Sequence, residues 1–238
     1  MSSPTAAIIG STGLVGAHIL STCLSESSPW SKITTISRRN PKSTGPKLNA
    51  VVESDTTKWS STLSSLTPTP SVVFSALGTT RAQAGGIANQ WKIDHDLNVD
   101  LVQASKAAGV KHFVFISSAG TRGMLSNRVP YSKMKIGVED AIIEAGFETA
   151  VIVRPGMIFG AREPGKEHTG MPFLQGVIKG AGKIFGQGVT DAVGQEADVI
   201  ARAAVAAARI AEEGEAPSTV WILEQPDIVK LGRTEWTE

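Results

Sequence analysis

The single tyrosine of the chain, Tyr131, lies four residues before Lys135. This spacing places both side chains on one face of a helix, where an ammonium group can lie beside a phenol. A phenol has an ordinary pKa of about 10, and a neighbouring positive charge favours its ionised form. The pair therefore suits general acid–base chemistry on a carbonyl or an alcohol, with a lowered pKa expected for Tyr131. The alternative is a half-buried tyrosine that precedes a lysine by chance, because short motifs often occur without function.

Two serines, Ser117 and Ser118, follow the apolar segment at residues 113–116 and precede a small-residue turn. A hydroxyl at such a strand end can donate a hydrogen bond to a substrate carbonyl that is held beside Tyr131. Serines also satisfy backbone groups within turns. We expect this structural role for Ser117 and the catalytic role for Ser118.

A glycine-rich turn follows the apolar segment at residues 6–9. The turn consists, in order, of Gly10, Ser11, Thr12, Gly13, Leu14, Val15 and Gly16. Gly10 permits a tight turn, Gly13 lets the backbone approach a pyrophosphate, and Gly16 lets the next helix pack closely. The N–H groups at the start of that helix then face the phosphates. The spacing departs from the usual G-x-G-x-x-G pattern, so a purely structural strand-to-helix turn is the alternative.

The residues at the end of the second predicted strand indicate which dinucleotide is bound. An acidic residue about 20 residues after the turn accepts hydrogen bonds from the ribose of NAD. Here the sequence has Ser37, Arg38 and Arg39. Two guanidinium groups and a hydroxyl suit a ribose 2′-phosphate, so the sequence predicts NADP(H) rather than NAD(H). A solvated basic pair is the alternative. Asp55 and Thr56, after the third strand, are expected to contact the adenine.

Short apolar segments alternate with helical segments, which predicts βαβ units and a parallel sheet covered on both faces. The sequence predicts seven strands, at residues 6–9, 33–36, 51–52, 72–74, 112–116, 150–153 and 220–223. It predicts helices at residues 14–24, 88–108, 131–145 and 198–213. The predicted fold class is α/β, a doubly wound parallel sheet of the Rossmann type. We expect a single domain over residues 1–238, in which residues 155–238 form a small C-terminal substrate-binding part.

Composition restricts the classes of function. The hydrophobic fraction of 41% and the charged fraction of 19% are typical of a soluble globular protein. A net charge of +1 gives no field that would recruit nucleic acid, and the four histidines show no metal-ligand spacing. Cys23 is the one cysteine, so no internal disulfide can form. The sequence predicts no transmembrane segment and no targeting peptide, which leaves a cytosolic protein or one docked on a membrane from outside.

The glycine-rich turn, the serine pair and the Tyr-x-x-x-Lys motif together resemble the short-chain dehydrogenase/reductase family. Further matches to its extended and atypical branches are Asn98-Val99, Val110-Lys111-His112-Phe113 and Arg154-Pro155-Gly156. The run Leu77-Gly78-Thr79-Thr80-Arg81 is similar to the Tat-interacting-protein oxidoreductases. Within that group, the sequence most resembles fungal relatives found in the mitochondrial proteome. The resemblance covers the chain from Ala6 to about Leu231.

The resemblance implies roles for particular residues. Tyr131 would be the general acid/base, Lys135 would hold the nicotinamide ribose and lower the pKa of Tyr131, and Ser118 would polarise the substrate carbonyl. Asn98 would lie near the nicotinamide, with an ordinary helix residue as the alternative. The remaining cofactor-lining positions would be Leu77, Gly78, Thr79, Ser117, Pro155, Gly156 and Met157.

The sequence therefore predicts an NADP(H)-dependent carbonyl reductase that acts on a small carbonyl or alcohol substrate. The alternative from another class is an NADPH-binding sensor or adaptor with little turnover. A sugar epimerase or dehydratase is disfavoured because the C-terminal part is short.

The loop at residues 162–168 is expected to be solvated, with a lid over the substrate as the alternative. The resemblance implies a peripheral position on the mitochondrial outer membrane, and analogy with related folds favours a homodimer through the helices at residues 88–108 and 131–145.

Overall fold

A computed structural model describes residues 3–123, 129–160 and 193–237 of the chain. Seven strands form one parallel sheet: β1 (Thr5–Ile9), β2 (Lys32–Ser37), β3 (Leu48–Val52), β4 (Val72–Ser75), β5 (His112–Ile116), β6 (Thr149–Val153) and β9 (Val220–Leu223). Their order across the sheet is β3-β2-β1-β4-β5-β6-β9. Two further strands, β7 (Met157–Phe159) and β8 (Gly194–Glu196), form a separate parallel pair. The predicted loop at residues 162–168 lies outside the described residues.

The helices of the described residues flank this sheet. They are α1 (Leu14–Cys23), α2 (Trp59–Ser64), α3 (Arg81–Ala84), α4 (Ile87–Trp91), α5 (Leu97–Ala107), α6 (Pro130–Ala145), α7 (Ala197–Glu212) and α8 (Gln225–Val229). A 3₁₀ turn covers Thr56–Lys58, and π-helical segments cover Lys92–Asp96 and Lys230–Thr234. The predicted doubly wound α/β fold is confirmed, and each predicted strand and helix is present. The predicted helix at residues 88–108 is divided, because the π-helical segment Lys92–Asp96 separates α4 from α5.

The central strands are buried on both faces, which explains their continuous apolar sequences. Successive side chains of a strand point to opposite faces, so β1 contributes to two separate cores. Ile8 lies in the same core as Ile19 of α1 and Ile200 of α7. Ile9 lies in the opposite core, together with Leu101 of α5. The sheet is therefore fixed in position by helices on each side.

The order of the sheet reverses between β1 and β4, which are adjacent although β2 and β3 separate them in sequence. In open parallel sheets, ligands bind outside the carboxyl ends of the strands at such a reversal. The glycine-rich turn follows β1 at this edge, and residues 77–79 follow β4. Residues 117–118 follow β5 and residues 155–157 follow β6 at the same edge. The topology thus brings these predicted site residues together at the carboxyl ends of the strands.

Candidate active site

The glycine-rich turn after β1 requires glycine at two of its positions. Gly10 has a φ of +85°, in the left-handed region that favours glycine, and a Cβ there would lie 2.7 Å from the backbone carbonyl carbon of Ala76. A Cβ on Gly16 would collide with the carbonyl oxygen of Gly10. Gly13 closes the turn by donating its N–H to the Gly10 carbonyl at 2.9 Å. The turn therefore packs α1 directly against the ends of β1 and β4.

The start of α1 has the features of an anion site. Within residues 3–123, no side chain caps this helix at Gly13, and its first turn contains no acidic residue. The hydroxyl of Ser11 is buried and has no hydrogen-bond partner in the described part of the chain. Unpaired N–H groups and an orphaned buried hydroxyl at a helix start fit a phosphate group. Residues 10–16 therefore fit the pyrophosphate of a dinucleotide.

The predicted adenosine-side residues follow the neighbouring strands β2 and β3. Ser37 is buried and donates its hydroxyl to the carbonyl oxygen of Arg39 at 2.7 Å, whereas Arg38 and Arg39 are exposed at the sheet edge. Asp55 begins the 3₁₀ turn that includes Thr56. Its carboxylate accepts hydrogen bonds from the hydroxyl and the N–H of the second residue of that turn, which lower the pKa of Asp55. Contact of these residues with a nucleotide stays a prediction.

The three predicted catalytic residues lie together where α6 crosses the end of β5. α6 begins with a proline in its first turn, which places Tyr131 near its start and Lys135 one turn later. The hydroxyl of Ser118 lies close enough to the Tyr131 phenol to lower the pKa of that phenol by hydrogen bonding. The ammonium of Lys135 donates to the carbonyl oxygen of Ile116 at 2.9 Å and lies 4.6 Å from the ring centre of Phe115. The arrangement can hold a carbonyl oxygen between two hydroxyl groups.

The lowered pKa that the sequence predicts for Tyr131 is not what the structure shows. Although 38% of the Tyr131 surface is exposed, desolvation of the phenol is the largest effect on its pKa, and the charge of Asp94 acts in the same direction. Together they outweigh the Ser118 hydrogen bond and raise the pKa of Tyr131 to about 12. The phenol therefore retains its proton at neutral pH, as a general acid must, but the raised pKa makes it a weaker acid than an ordinary phenol.

Lys135 is almost fully buried, with 4% of its surface exposed. Desolvation disfavours its charged form and lowers the pKa of Lys135 to about 8, although the carboxylates of Asp94 and Glu139 oppose this effect. The ammonium form is therefore present at neutral pH and is lost as the pH rises past about 8.

The turn that carries Ser118 is bonded to the turn after β6. The predicted cofactor residues in that second turn are Pro155, Gly156 and Met157, the last of which begins β7. The N–H of Ala119 donates to the carbonyl oxygen of Pro155 at 2.7 Å. The N–H of Gly156 donates to Oε1 of Gln195 at 3.0 Å, and Nε2 of Gln195 donates to Gln225 at 3.2 Å. The first of these bonds joins the two turns, and the other two attach the second turn to β8 and α8.

A buried carboxylate, Glu139, supports the site and is not among the predicted residues. Its oxygens accept hydrogen bonds from Ser117 at 2.6 Å, from Arg122 at 2.9 Å and from Arg154 at 2.7 Å. These bonds outweigh the burial of Glu139 and lower its pKa. The Ser117 hydroxyl thus bonds to a carboxylate rather than, as the sequence predicts, to the backbone groups of its turn. Its place in the cofactor lining stays a prediction. The spacing of four residues after Lys135 is the one sequence signal for Glu139.

The loop after β4 contains the predicted residues Leu77, Gly78 and Thr79. The N–H of Thr79 donates to a carboxylate oxygen of Asp94 at 2.7 Å. Asn98 is buried, accepts a hydrogen bond from the hydroxyl of Ser75 at 2.7 Å and donates to the carbonyl of Ile93 at 3.1 Å. Asn98 thus attaches the π-helical segment to β4, and its contact with the nicotinamide stays a prediction.

Comparison with known proteins identifies the family of the chain. The sequence profile described as "NAD dependent epimerase/dehydratase family" matches residues 6–191. The chain belongs to this family. Its relatives include "Protein FMP52, mitochondrial" of Chaetomium globosum, 60% identical over 231 residues that cover 97% of this chain and 98% of that protein. "Protein fmp-52, mitochondrial" of Neurospora crassa is 59% identical over 240 residues, with 100% and 99% covered. The resemblance to short-chain dehydrogenase/reductases and to fungal mitochondrial relatives is confirmed.

Solved structures of the epimerase/dehydratase type share the fold. The UDP-Glc/GlcNAc 4-epimerase from Campylobacter jejuni aligns with a TM-score of 0.65 at 15% identity, covering 95% of this chain and 82% of that chain. MoeE5 in complex with UDP-glucose and NAD aligns with a TM-score of 0.64 at 15% identity, covering 97% and 81%. Over the ranges that the structure describes, no helix has both the length and the hydropathy needed to cross a bilayer.

Proposed function

We propose that this protein is an NADPH-dependent carbonyl reductase of a small carbonyl substrate. The observation that carries the proposal is the convergence of Ser118, Tyr131 and Lys135 at the sheet edge that also holds the phosphate-fitting turn. A protein that only bound the dinucleotide would need the turn but not an acid, a hydroxyl donor and a lysine beside it. The family name and the complexes of structural neighbours with NAD support a dinucleotide in this position.

Each residue of the site has a separate role in the proposed reduction. A bound nicotinamide cofactor supplies the hydride that the carbonyl carbon receives. Ser118 holds the carbonyl oxygen by donating a hydrogen bond, and Tyr131 transfers its phenolic proton to that oxygen. Lys135 stabilises the negative charge that then remains on the phenol oxygen. The carbonyl thus gains one hydride and one proton and becomes an alcohol.

The test of this function is consumption of NADPH by the purified chain with a panel of aldehydes, ketones and quinones. NADPH binding followed by carbonyl-dependent oxidation supports the proposal, and the reactive members of the panel define the substrate class. Tight binding of NADPH with no turnover on any carbonyl would instead support the sensor or adaptor.

The preference for NADPH is expected to depend on Arg38 and Arg39. The double substitution Arg38→Ala, Arg39→Ala should weaken NADPH binding about tenfold or more and leave NADH binding nearly unchanged, because each guanidinium can make charged hydrogen bonds to the 2′-phosphate. Dissociation constants from NAD(P)H fluorescence measure this. Lys32→Ala is the control, since it also removes a positive charge from β2 but at the opposite end of the strand. NADH binding as tight as NADPH binding in the unaltered protein would contradict the assignment.

The rate of reduction is expected to fall at alkaline pH earlier than an ordinary lysine would allow. Lys135 loses its proton as the pH rises past about 8, so kcat/KM for NADPH, which reports the free enzyme, should decline above that pH. Lys135→Met should remove most activity, whereas Lys133→Met changes an exposed lysine of the same helix and should retain it. A profile that stays flat up to about pH 10 would contradict a role for the Lys135 charge.

A further inference from the structure

Ser118 lies between two backbone hydrogen bonds that join its turn to the extension of β6. The N–H of Ser117 donates to the carbonyl oxygen of Val153 at 2.7 Å, and the N–H of Ala119 donates to that of Pro155 at 2.7 Å. These bonds continue the pairing of β5 with β6 beyond the two strands. The position of Ser118 therefore depends on the course that the chain takes directly after β6.

A side-chain amide holds the chain where it leaves this extension. Gln195 of β8 is fully buried, and its Oε1 accepts the N–H of Gly156 at 3.0 Å. We propose that Gln195 is a positioning residue, which keeps Ser118 in place by fixing the turn that follows Pro155. The benefit to catalysis rests on the proposed function. The hold on the turn is a property of the free protein and is measurable without turnover.

Gln225, the first residue of α8, orients the amide of Gln195. Its Oε1 accepts a hydrogen bond from Nε2 of Gln195 at 3.2 Å. A side-chain amide has its donor on nitrogen and its acceptor on oxygen, so this bond turns the Gln195 oxygen toward the N–H of Gly156. The two glutamines thus share one orientation, and that orientation bonds the turn.

Gly156 lacks a side chain, and the packing around it requires this. A Cβ at this position would lie 2.5 Å from the carbonyl oxygen of Val193 and 2.7 Å from Oε1 of Gln225. The missing Cβ lets residues 193–195 and the start of α8 approach the backbone of the turn. Three segments that are distant in sequence therefore meet at one peptide group.

The next residue of β8, Glu196, bonds to a different part of the chain. Its carboxylate accepts a hydrogen bond from Arg233 at 2.9 Å, in the π-helical segment Lys230–Thr234. Successive side chains of a strand point in opposite directions, which explains why the two neighbours have different partners. Glu196 therefore provides a matched control for Gln195, because its ion pair attaches the same strand elsewhere.

Hydrogen exchange at the Ala119 amide tests the proposal without turnover. With carbon-13 in the serine carbonyl and nitrogen-15 in alanine, a spectrum that selects Ser-Ala peptide groups contains two amides, those of Ala76 and Ala119. Ser118→Thr removes the Ala119 signal and so assigns it. The N–H of Ala76 donates to the carbonyl oxygen of Ile9 at 3.0 Å, between β4 and β1, and serves as the internal reference.

Gln195→Met keeps the length of the side chain but removes its amide, so the Ala119 N–H should exchange about tenfold faster while the reference amide is unchanged. Gln195→Glu should restore slow exchange, because its carboxyl group accepts the Gly156 N–H and the Gln225 amide can turn to donate to it. Glu196→Gln should leave both exchange rates unchanged. Unaltered Ala119 exchange in Gln195→Met with native tryptophan fluorescence would overturn the proposal.

Gln225→Ala provides the second test if Gln195→Met does not fold. It removes the partner that orients the amide, from a position that is only half-buried. The Ala119 N–H should again exchange faster, although by a smaller factor, because the bond from Gly156 to Gln195 can still form. No change at Ala119 would overturn the proposal here too.

In an active enzyme, the variants should separate kcat from cofactor binding. Gln195→Met should lower kcat about tenfold or more and change the Kd of NADPH by less than about threefold, since it displaces Ser118 and leaves the phosphate-fitting turn after β1 intact. Gln195→Glu should recover most of kcat, and Glu196→Gln should retain it. An unchanged kcat in Gln195→Met would overturn the positioning role. Faster exchange at Ala119 in a protein that reduces no carbonyl would leave the hold of Gln195 as proposed and refute only the reductase.

Discussion

Replacing Tyr131 with phenylalanine is expected to slow carbonyl reduction by about a hundredfold to ten-thousandfold, the usual contribution of a positioned general acid. The substitution removes one oxygen atom and keeps the aromatic ring, so the packing of α6 against the sheet is preserved. The phenol of Tyr131 retains its proton at neutral pH because desolvation and Asp94 raise its pKa to about 12. Without that proton donor, charge would develop on the substrate oxygen with only Ser118 to stabilise it.

Single-turnover oxidation of NADPH, followed by its fluorescence, measures the chemical step without interference from product release. Binding of NADPH should change by less than about twofold, because the lost group acts mainly in the transition state. Ser132→Ala removes a hydroxyl from the adjacent residue of α6 and should retain most of the rate. If Tyr131→Phe kept more than a tenth of the normal rate, another group would have to supply the proton.

The same variant distinguishes an enzyme from a sensor. In a sensor or adaptor, the dinucleotide would set a conformation that a partner recognises, and the phenolic proton would have no part in it. Tyr131→Phe would then leave partner binding intact. The convergence of Ser118, Tyr131 and Lys135 favours the enzyme, because binding alone requires none of the three to lie beside the others.

The fold was predictable because its determinants are local in the sequence. Each central strand is a short apolar segment, and a strand buried on both faces requires such a segment. The ends of α6 were marked by Pro130 and by Gly146, which has a φ of +65° in the structure. The π-helical segment Lys92–Asp96 was not predictable, because it lies inside a continuous helical pattern. Its residues are bonded to positions distant in sequence, as Asp94 is to the N–H of Thr79 at 2.7 Å.

In the site, too, some features follow from local sequence and others depend on distant residues. The positions of Tyr131 and Lys135 follow from a spacing of four residues on one helix, which the sequence shows directly. Asp94 is followed by His95 and Asp96, and such a polar run is typical of a solvated helix face. Its burial arises from the bond with Thr79 and from the contact of the π-helical segment with α6. The pKa of Tyr131 was predicted with the wrong sign because the sequence showed the lysine but neither the desolvation of the phenol, which is the largest effect, nor the buried aspartate.

The second large effect is expected for Glu139, which holds the catalytic turn in place through charge. Glu139→Gln should lower the free energy of unfolding by about 3 kcal/mol, since breaking a buried ion pair leaves an uncompensated charge. The side chain of Glu139 is fully buried, and that of Arg154 is 12% exposed. Arg154 keeps its second partner, Glu224, at 2.9 Å, which places the expected loss at the lower end of the usual range. Urea denaturation followed by tryptophan fluorescence measures it.

The pH dependence of that loss of unfolding free energy shows whether it comes from the charge of Glu139 or from the shape of its side chain. The hydrogen bonds to Glu139 lower its pKa, so its stabilising effect is present at neutral pH and is lost as the pH falls through that lowered pKa. The difference in unfolding free energy between the unaltered protein and Glu139→Gln should therefore shrink in acid.

Asp140→Asn is the matched control. Asp140 is the adjacent, exposed carboxylate, bonded to Arg122, and its loss should lower the free energy of unfolding by less than about 1 kcal/mol. Equal losses for the two variants would show that burial of the charge is not what stabilises this turn. A loss confined to Glu139→Gln, accompanied by slower reduction, would mean that the buried charge also keeps Ser118 in position for catalysis.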